Sequence, residues 1–149
     1  MPMLMVRRAR HEDLDDLTAL LCLLFSLEAD FDWDEKKQHQ GLNLMLNNSR
    51  GCVLVAENEN RIVGMCTGQV VISTAEGGPA VLVEDVVVAE EAQGQGVGRA
   101  LLEAMAAWAR EQGATRMQLL ADANNTPALQ FYQQVGWRRT ELICLRQAV

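Results

Sequence analysis

Aromatic residues are scarce in this 149-residue chain, at 5%, and tyrosine occurs once. A role for a tyrosine hydroxyl therefore falls on one residue, Tyr132. Proline is also rare, with three residues, so Pro-rich linkers and extended recognition segments are excluded. Basic residues are outnumbered, 13 against 20 acids, for a net charge of −7. Nonspecific nucleic-acid binding needs a basic footprint, and this chain does not carry one. The balance suits a cationic small substrate. The two histidines, His11 and His39, lie far apart. The four cysteines, Cys22, Cys52, Cys66 and Cys144, form no CxxC pair and no Cys/His cluster. No metal is therefore expected. No apolar run approaches the ~18 residues that span a membrane, and Met1–Arg10 does not read as a signal peptide. Unpaired thiols suit a reducing cytoplasm.

What is present fits a single domain over residues 1–149, within the range of about 100–200 residues per domain. Leu4–Arg8 reads as a first strand. Leu14, Leu17, Leu20, Leu21 and Leu24 form a helical stripe over Asp13–Leu27. Asp34 is placed to cap a second helix reaching Leu46. Gly51–Glu57 and Arg61–Ile72 read as a hairpin about the turn Asn58–Asn60. After the loop Ser73–Pro79, Val81–Val88 is an apolar strand interrupted by Glu84 and Asp85. Val97–Gln112 is predicted as a helix stopped at Gly113, and Arg116–Ala121 as a strand. A helix capped by Thr126 and ended by Gly136 follows, and Trp137–Leu145 reads as a last strand. The order is βααβββαβαβ. The fold class is α+β, with a mixed, mostly antiparallel sheet between helical layers.

The most informative segment is Gln93-Gly94-Gln95-Gly96-Val97-Gly98-Arg99, between a strand and a helix. Glycines at alternate positions allow a bulky anion to approach the backbone, and the amides of a helix's first turn attract negative charge. No Gly-Lys-Ser/Thr follows, so this is not a Walker loop. The spacing is also not that of the dinucleotide fingerprint. A second block, Asn125-Thr126-Pro127-Ala128-Leu129-Gln130-Phe131-Tyr132, precedes Gly136-Trp137.

Together these segments resemble the GCN5-related N-acetyltransferase (GNAT) superfamily. Its cofactor motif reads Arg/Gln-x-x-Gly-x-Gly/Ala, and its later block Asn-x-x-Ala-x-x-Phe-Tyr…Gly-Phe, with tryptophan here in the last place. The resemblance implies an acetyl-CoA-dependent N-acetyltransferase with acetyl-CoA held where a β-bulge in the strand before the loop splays it from the strand after the helix. It assigns the pyrophosphate to Gln93, Gly94, Gln95, Gly96, Val97, Gly98 and Arg99. It assigns the pantetheine arm to the backbone of Val86, Val87 and Val88, with Asn125, Ala128 and Tyr132 also on the cofactor side. Tyr132 becomes the acid for the leaving thiolate. Glu84 becomes the base that deprotonates the amine, because an alkylammonium of pKa ~10.4 is neutral only about once in 10³ molecules at pH 7.

A weaker similarity to the diamine and polyamine branch rests on the strand Val83-Glu84-Asp85 and on Asn125-Thr126-Pro127. It adds Glu28, with Glu84 and Asp85, as substrate residues, beside an acidic run at Asp30, Asp32, Asp34 and Glu35. The implied substrate is a small cationic amine attacked directly, and a homodimer is expected. The alternatives are a protein or peptide N-acetyltransferase and a non-catalytic acyl-CoA sensor.

Overall fold

The computed structural model describes residues 3–28 and 30–149. The chain divides into two units, residues 1–118 and 119–149. Strands β1 (Leu4–Arg8), β2 (Gly51–Asn58), β3 (Arg61–Ser73), β4 (Gly78–Val88) and β5 (Met117–Leu119) stand in sheet order β1-β2-β3-β4-β5, with β5 at the division. β1 through β4 pair antiparallel. The α+β class and the mixed sheet predicted from the sequence are present.

Local rules account for most boundaries. Helix α1 (Leu14–Leu27) buries Leu17, Leu20 and Leu21 from the predicted stripe. Asp13, just before it, accepts both terminal nitrogens of Arg7, at 2.8 and 3.1 Å, which ties β1 to the start of α1. Helix α2 (Glu35–Leu46) begins at Asp34, whose carboxylate accepts the amides of Lys36 and Lys37. This assigns one member of the acidic run to capping. Glu59 and Asn60 take φ of 51° and 64° between paired Asn58 and Arg61, which makes a two-residue hairpin turn matched to strand twist. Helix α3 (Val97–Glu111) ends at Gly113, with φ of 78°.

The sheet has a core on each face. Val53, Val55, Met65 and Val87 pack with Leu17, Leu20, Leu21 and Leu42 of α1 and α2. Residues of the alternate register meet α3. A Cβ at Gly64 would lie 2.9 Å from Val97 Cγ1 and 3.1 Å from Leu101 Cδ1. One at Gly68 would lie 2.7 Å from Met105 Sδ. Two glycines on one face of β3 thus let α3 settle against the backbone of the sheet, which fixes where its N-terminus begins.

Four expectations change. β4 begins at Gly78, inside the loop expected over Ser73–Pro79. β5 is shorter than Arg116–Ala121. The cap of α4 (Thr126–Gln134) is Asn125, not Thr126, because Asn125 Oδ1 accepts the Ala128 amide at 3.2 Å. Trp137–Leu145 forms no strand, and Leu142, Ile143 and Leu145 are exposed. An apolar pattern supplies strand propensity, but a strand exists only through a ladder with a neighbour, and this segment makes none. The observed order is βααβββαβα.

Gly64→Ala tests the close approach of α3. The added methyl meets the side chains of Val97 and Leu101 and lies 3.2 Å from Val87 O. Overpacking of this kind costs about 1–3 kcal/mol. The gain from replacing a strand glycine is only about 0.5–1 kcal/mol. Chemical denaturation should show a net loss of stability. An unchanged midpoint would mean that the contact is loose.

Candidate active site

A one-turn segment at Glu90–Ala92 leads from β4 into the glycine loop. Two glutamines brace the turn: Gln93 Nε2 donates to Val88 O and Gln95 Nε2 to Glu91 O, each at 3.1 Å. Gly94 and Gly96 hold φ of 75° and 84°, left-handed values that disfavour any other residue. A Cβ on either would meet nothing within 4 Å, so the loop opens outward. Gly96 caps α3 without a side chain, and the first helical bond runs from Ala100 N to Gly96 O at 3.0 Å. The amides before that bond have no partner within the helix, and they stand at the positive end of its dipole. Val97 is buried and anchors the turn from below. The result is an open cradle of amides with no acidic side chain in the first turn of α3, which fits a pyrophosphate.

β4 carries the second feature. Its register against β3 runs from Thr67↔Glu84 to Met65↔Val87, so Cys66 faces two residues, Asp85 and Val86. This is a β-bulge, and one residue of the pair falls outside the ladder. Asp85 adopts φ of 51° there. Its Oδ2 accepts the Thr67 hydroxyl at 3.1 Å, and Thr67 is itself buried. Asp85 is half-buried, whereas Glu84 is exposed. Burial is the largest influence on the Asp85 carboxyl, and it raises the pKa. The neighbouring Glu84 charge raises it further, the Thr67 hydrogen bond opposes the rise, and Glu28 adds to it, for a value of about 6. Glu28, at the C-terminal cap of α1, therefore lies within electrostatic reach of Asp85. Glu84 and Asp85 thus adjoin on β4, and Glu28 at the end of α1 acts on Asp85 through its charge.

Val87 side-chain atoms are buried in the core beneath α1, and Val86 and Val88 are half-buried. Cys66, opposite the bulge, is fully buried and lies 3.8 Å from Leu101 O. Burial pushes its thiol well above the ordinary range, and burial likewise raises the Cys52 thiol to about 11. Neither is a nucleophile for an acyl-enzyme route, since the thiolate is the reactive form.

The unit of residues 119–149 holds the second motif. Asn125 spends its Oδ1 on the cap of α4. At the other end of α4, Trp137 N donates to Tyr132 O at 2.9 Å and Gly136 N to Gln133 O at 3.1 Å, with Gly136 at φ of 98°. This is a Schellman closure. It explains the Gly-Trp pair: glycine supplies the left-handed turn, and the Trp137 ring then stands 5.9 Å from that of Tyr132. Phe131 adds a second ring contact at 5.3 Å. Tyr132 is half-buried between them. Ala128 is half-buried in the first turn of α4.

Sequence reasoning missed Thr67, whose only signal is a hydroxyl in an otherwise apolar stretch of β3. The resemblance put a bulge at Glu84 and Asp85 without choosing between them, and the register gives it to Asp85. Among the described residues no group of His, Cys, Asp and Glu could hold a metal ion.

Comparison with known proteins follows the same lines. The profile of the Acetyltransferase (GNAT) family matches residues 14–137. A mycothiol acetyltransferase of Jonesia denitrificans is 48% identical over 54 residues, 36% of this chain and 17% of that protein. One from Arthrobacter sp. (strain FB24) is 34% identical over 91 residues, 60% of this chain and 28% of that protein. The chain thus spans less than a third of these relatives. Among solved structures, the aminoglycoside N-acetyltransferase AAC(6')-Iy in complex with CoA superposes with a TM-score of 0.87 at 16% identity. That match covers 99% of this chain and 96% of the other. An aminoglycoside acetyltransferase from an uncultured soil metagenomic sample, in complex with sisomicin, superposes at 0.79 with 24% identity, covering 98% and 96%. Likeness at these identities is likeness of fold. With the family profile matching residues 14–137 and the glycine loop built as an anion cradle, the chain belongs to the GNAT acetyltransferase family.

Proposed function

We propose that this chain transfers an acetyl group from acetyl-CoA to a primary amine, and that the amine is a small cation. The observation that carries the reading is the open amide cradle at Gly94–Arg99 beside a strand that bears acids at a bulge. Acetyl-CoA supplies an activated acyl group and a thiolate leaving group. In this reading the amides from Gly94 to Arg99 hold its pyrophosphate, and the backbone of Val86, Val87 and Val88 takes the pantetheine arm as an added strand. By the family resemblance Asn125, whose Oδ1 caps α4, belongs with the cofactor residues. Tyr132 is the acid: a phenol, of ordinary pKa ~10, hydrogen-bonds or protonates the departing thiolate. Glu28, Glu84 and Asp85 draw the ammonium, and an acid of β4 removes its proton. Relatives named for mycothiol and aminoglycoside acetylation support an amine acceptor.

A homodimer and a cytoplasmic setting complete the reading. The first rests on the family resemblance and the second on four unpaired cysteines. Light scattering should give about twice the 16.5 kDa chain mass, and a value near the single chain would remove the dimer.

Two substitutions separate binding from chemistry. Gly96→Asp puts a carboxylate and a strained left-handed residue into the cradle, and acetyl-CoA affinity should fall at least tenfold, about 1.4 kcal/mol. Tyr132→Phe keeps the ring, so affinity should hold while the single-turnover rate falls roughly 10²–10⁴-fold. Calorimetry on a folded Gly96→Asp protein with unchanged affinity would remove the loop from the account. A wild-type rate in Tyr132→Phe would leave that ring a packing role only.

The substrate class is tested by acetylation of diamines, polyamines, aminoglycosides and short peptides at two salt concentrations. Cationic small amines should be preferred, and efficiency should fall with salt, because screening shortens the reach of the acids to about 8–10 Å. A neutral or anionic acceptor used best, without salt dependence, would overturn the cationic substrate and leave the acetyltransferase assignment standing. An absence of turnover with every amine, with acetyl-CoA still bound, would favour a sensor.

A further inference from the structure

Two carboxylates stand in sequence on β4, and the fold treats them differently. Glu84 keeps its place in the ladder opposite Thr67, and its side chain is exposed. Asp85 opens the bulge in a left-handed conformation, φ 51°. Glycine is the residue this backbone favours, since it has no Cβ to clash. Aspartate tolerates the conformation but does not prefer it, and strain of this kind is kept where a site needs the side chain. Thr67 orients that side chain through a 3.1 Å hydrogen bond from a buried hydroxyl. The ionisable groups acting on Asp85 are Glu84 beside it on β4 and Glu28 at the end of α1, both acidic. Cys66, on β3, is a buried thiol held neutral.

We propose that Asp85, rather than Glu84, is the proton acceptor for the amine, with Thr67 as its positioning residue and Glu84 as the charge that tunes it. The inference rests on the acetyltransferase reading above. The ammonium gives one proton to the Asp85 carboxylate, which frees the nitrogen lone pair. The C–N bond then forms at the acetyl carbon as the C–S bond breaks, and the sulfur keeps that electron pair. The thiolate takes its proton from Tyr132, the acid proposed above, the nitrogen's second proton restores the phenol, and Asp85 returns its own proton to solvent. An acceptor with pKa about 6 is mostly ionised at pH 7, yet it is a stronger base than an ordinary aspartate at ~3.9.

The test combines pH profiles with a titration that needs no turnover. Wild-type kcat/KM should rise with pH through about 6. Asp85→Asn should lower turnover roughly 10²–10⁴-fold and abolish that limb. Asp85→Gly should be as inactive, with a Tm at or above wild type because the strain is relieved, which separates catalysis from folding. Glu84→Gln should keep the limb and move it to lower pH, since the like charge is gone. In the protein without substrate, the Asp85 carboxyl carbon followed by NMR should titrate near pH 6 in wild type and lower in Glu84→Gln. Asp85→Asn with a wild-type rate and an intact limb would overturn the acceptor role while the acetyltransferase reading stands. So would an Asp85 carboxyl titrating near 3.9, or loss of the limb in Glu84→Gln alone. A wild type that acetylates no amine in the screen would overturn the activity itself, and this role with it.

Discussion

The close approach of α3 to the sheet is the contact on which the rest of the site depends. It exists because β3 presents Gly64 and Gly68 to the helix, with Val97, Leu101 and Met105 pressed where side chains would otherwise stand. A helix held this near the sheet starts just after β4 ends, so its bare first turn opens beside the strand that carries the acids. The loop then needs left-handed turns to make the reversal, and Gly94 and Gly96 supply them at φ of 75° and 84°. Its two glutamines fold back on the chain rather than into the cradle, so the amides stay clear. An anion site is the physical consequence of packing and turn geometry together.

The bulge at Asp85–Val86 is the complementary device. A regular ladder would pair every backbone group of β4 and would alternate its carboxylates between the two faces. One extra residue breaks that alternation, so Asp85 reaches Thr67, the ladder partner of Glu84, and is half-buried against it while Glu84 stays exposed. Burial and like charge then raise the pKa of the buried one. The linkage sign follows: a carboxylate whose folded pKa lies above its unfolded value destabilises the protein as pH rises through that window. Asp85 ionisation therefore opposes folding between about pH 4 and 6. Charge held against that tendency, on a strained backbone, marks a site rather than a scaffold.

How much of this was legible in the sequence follows from the range of each interaction. The leucine spacing of α1, the Asp34 cap, the Asn58–Asn60 turn and the glycines that end α3 and α4 are local, and they lie where the residues place them. The loop was legible for the same reason, since its chemistry is carried by contiguous backbone. The bulge was implied only by the family resemblance, because it is a property of register between β3 and β4, and no local pattern in β4 shows that Cys66 will face two residues. Thr67 was invisible for the same reason. The cap of α4 was misplaced by one residue because Asn125 and Thr126 are both capping types, and only geometry distinguishes them. Trp137–Leu145 carried a strand pattern, but the ladder that would realise it is not local and is not formed.

The central claim is that backbone amides at the start of α3 bind the pyrophosphate of acetyl-CoA. Residue-resolved amide NMR of the protein, with and without CoA, tests it without reference to any acceptor. The account predicts the largest shift changes and new exchange protection at Gly94, Gln95, Gly96, Val97, Gly98 and Arg99. CoA binding that leaves these amides unperturbed, with its effects confined to other elements, would contradict it.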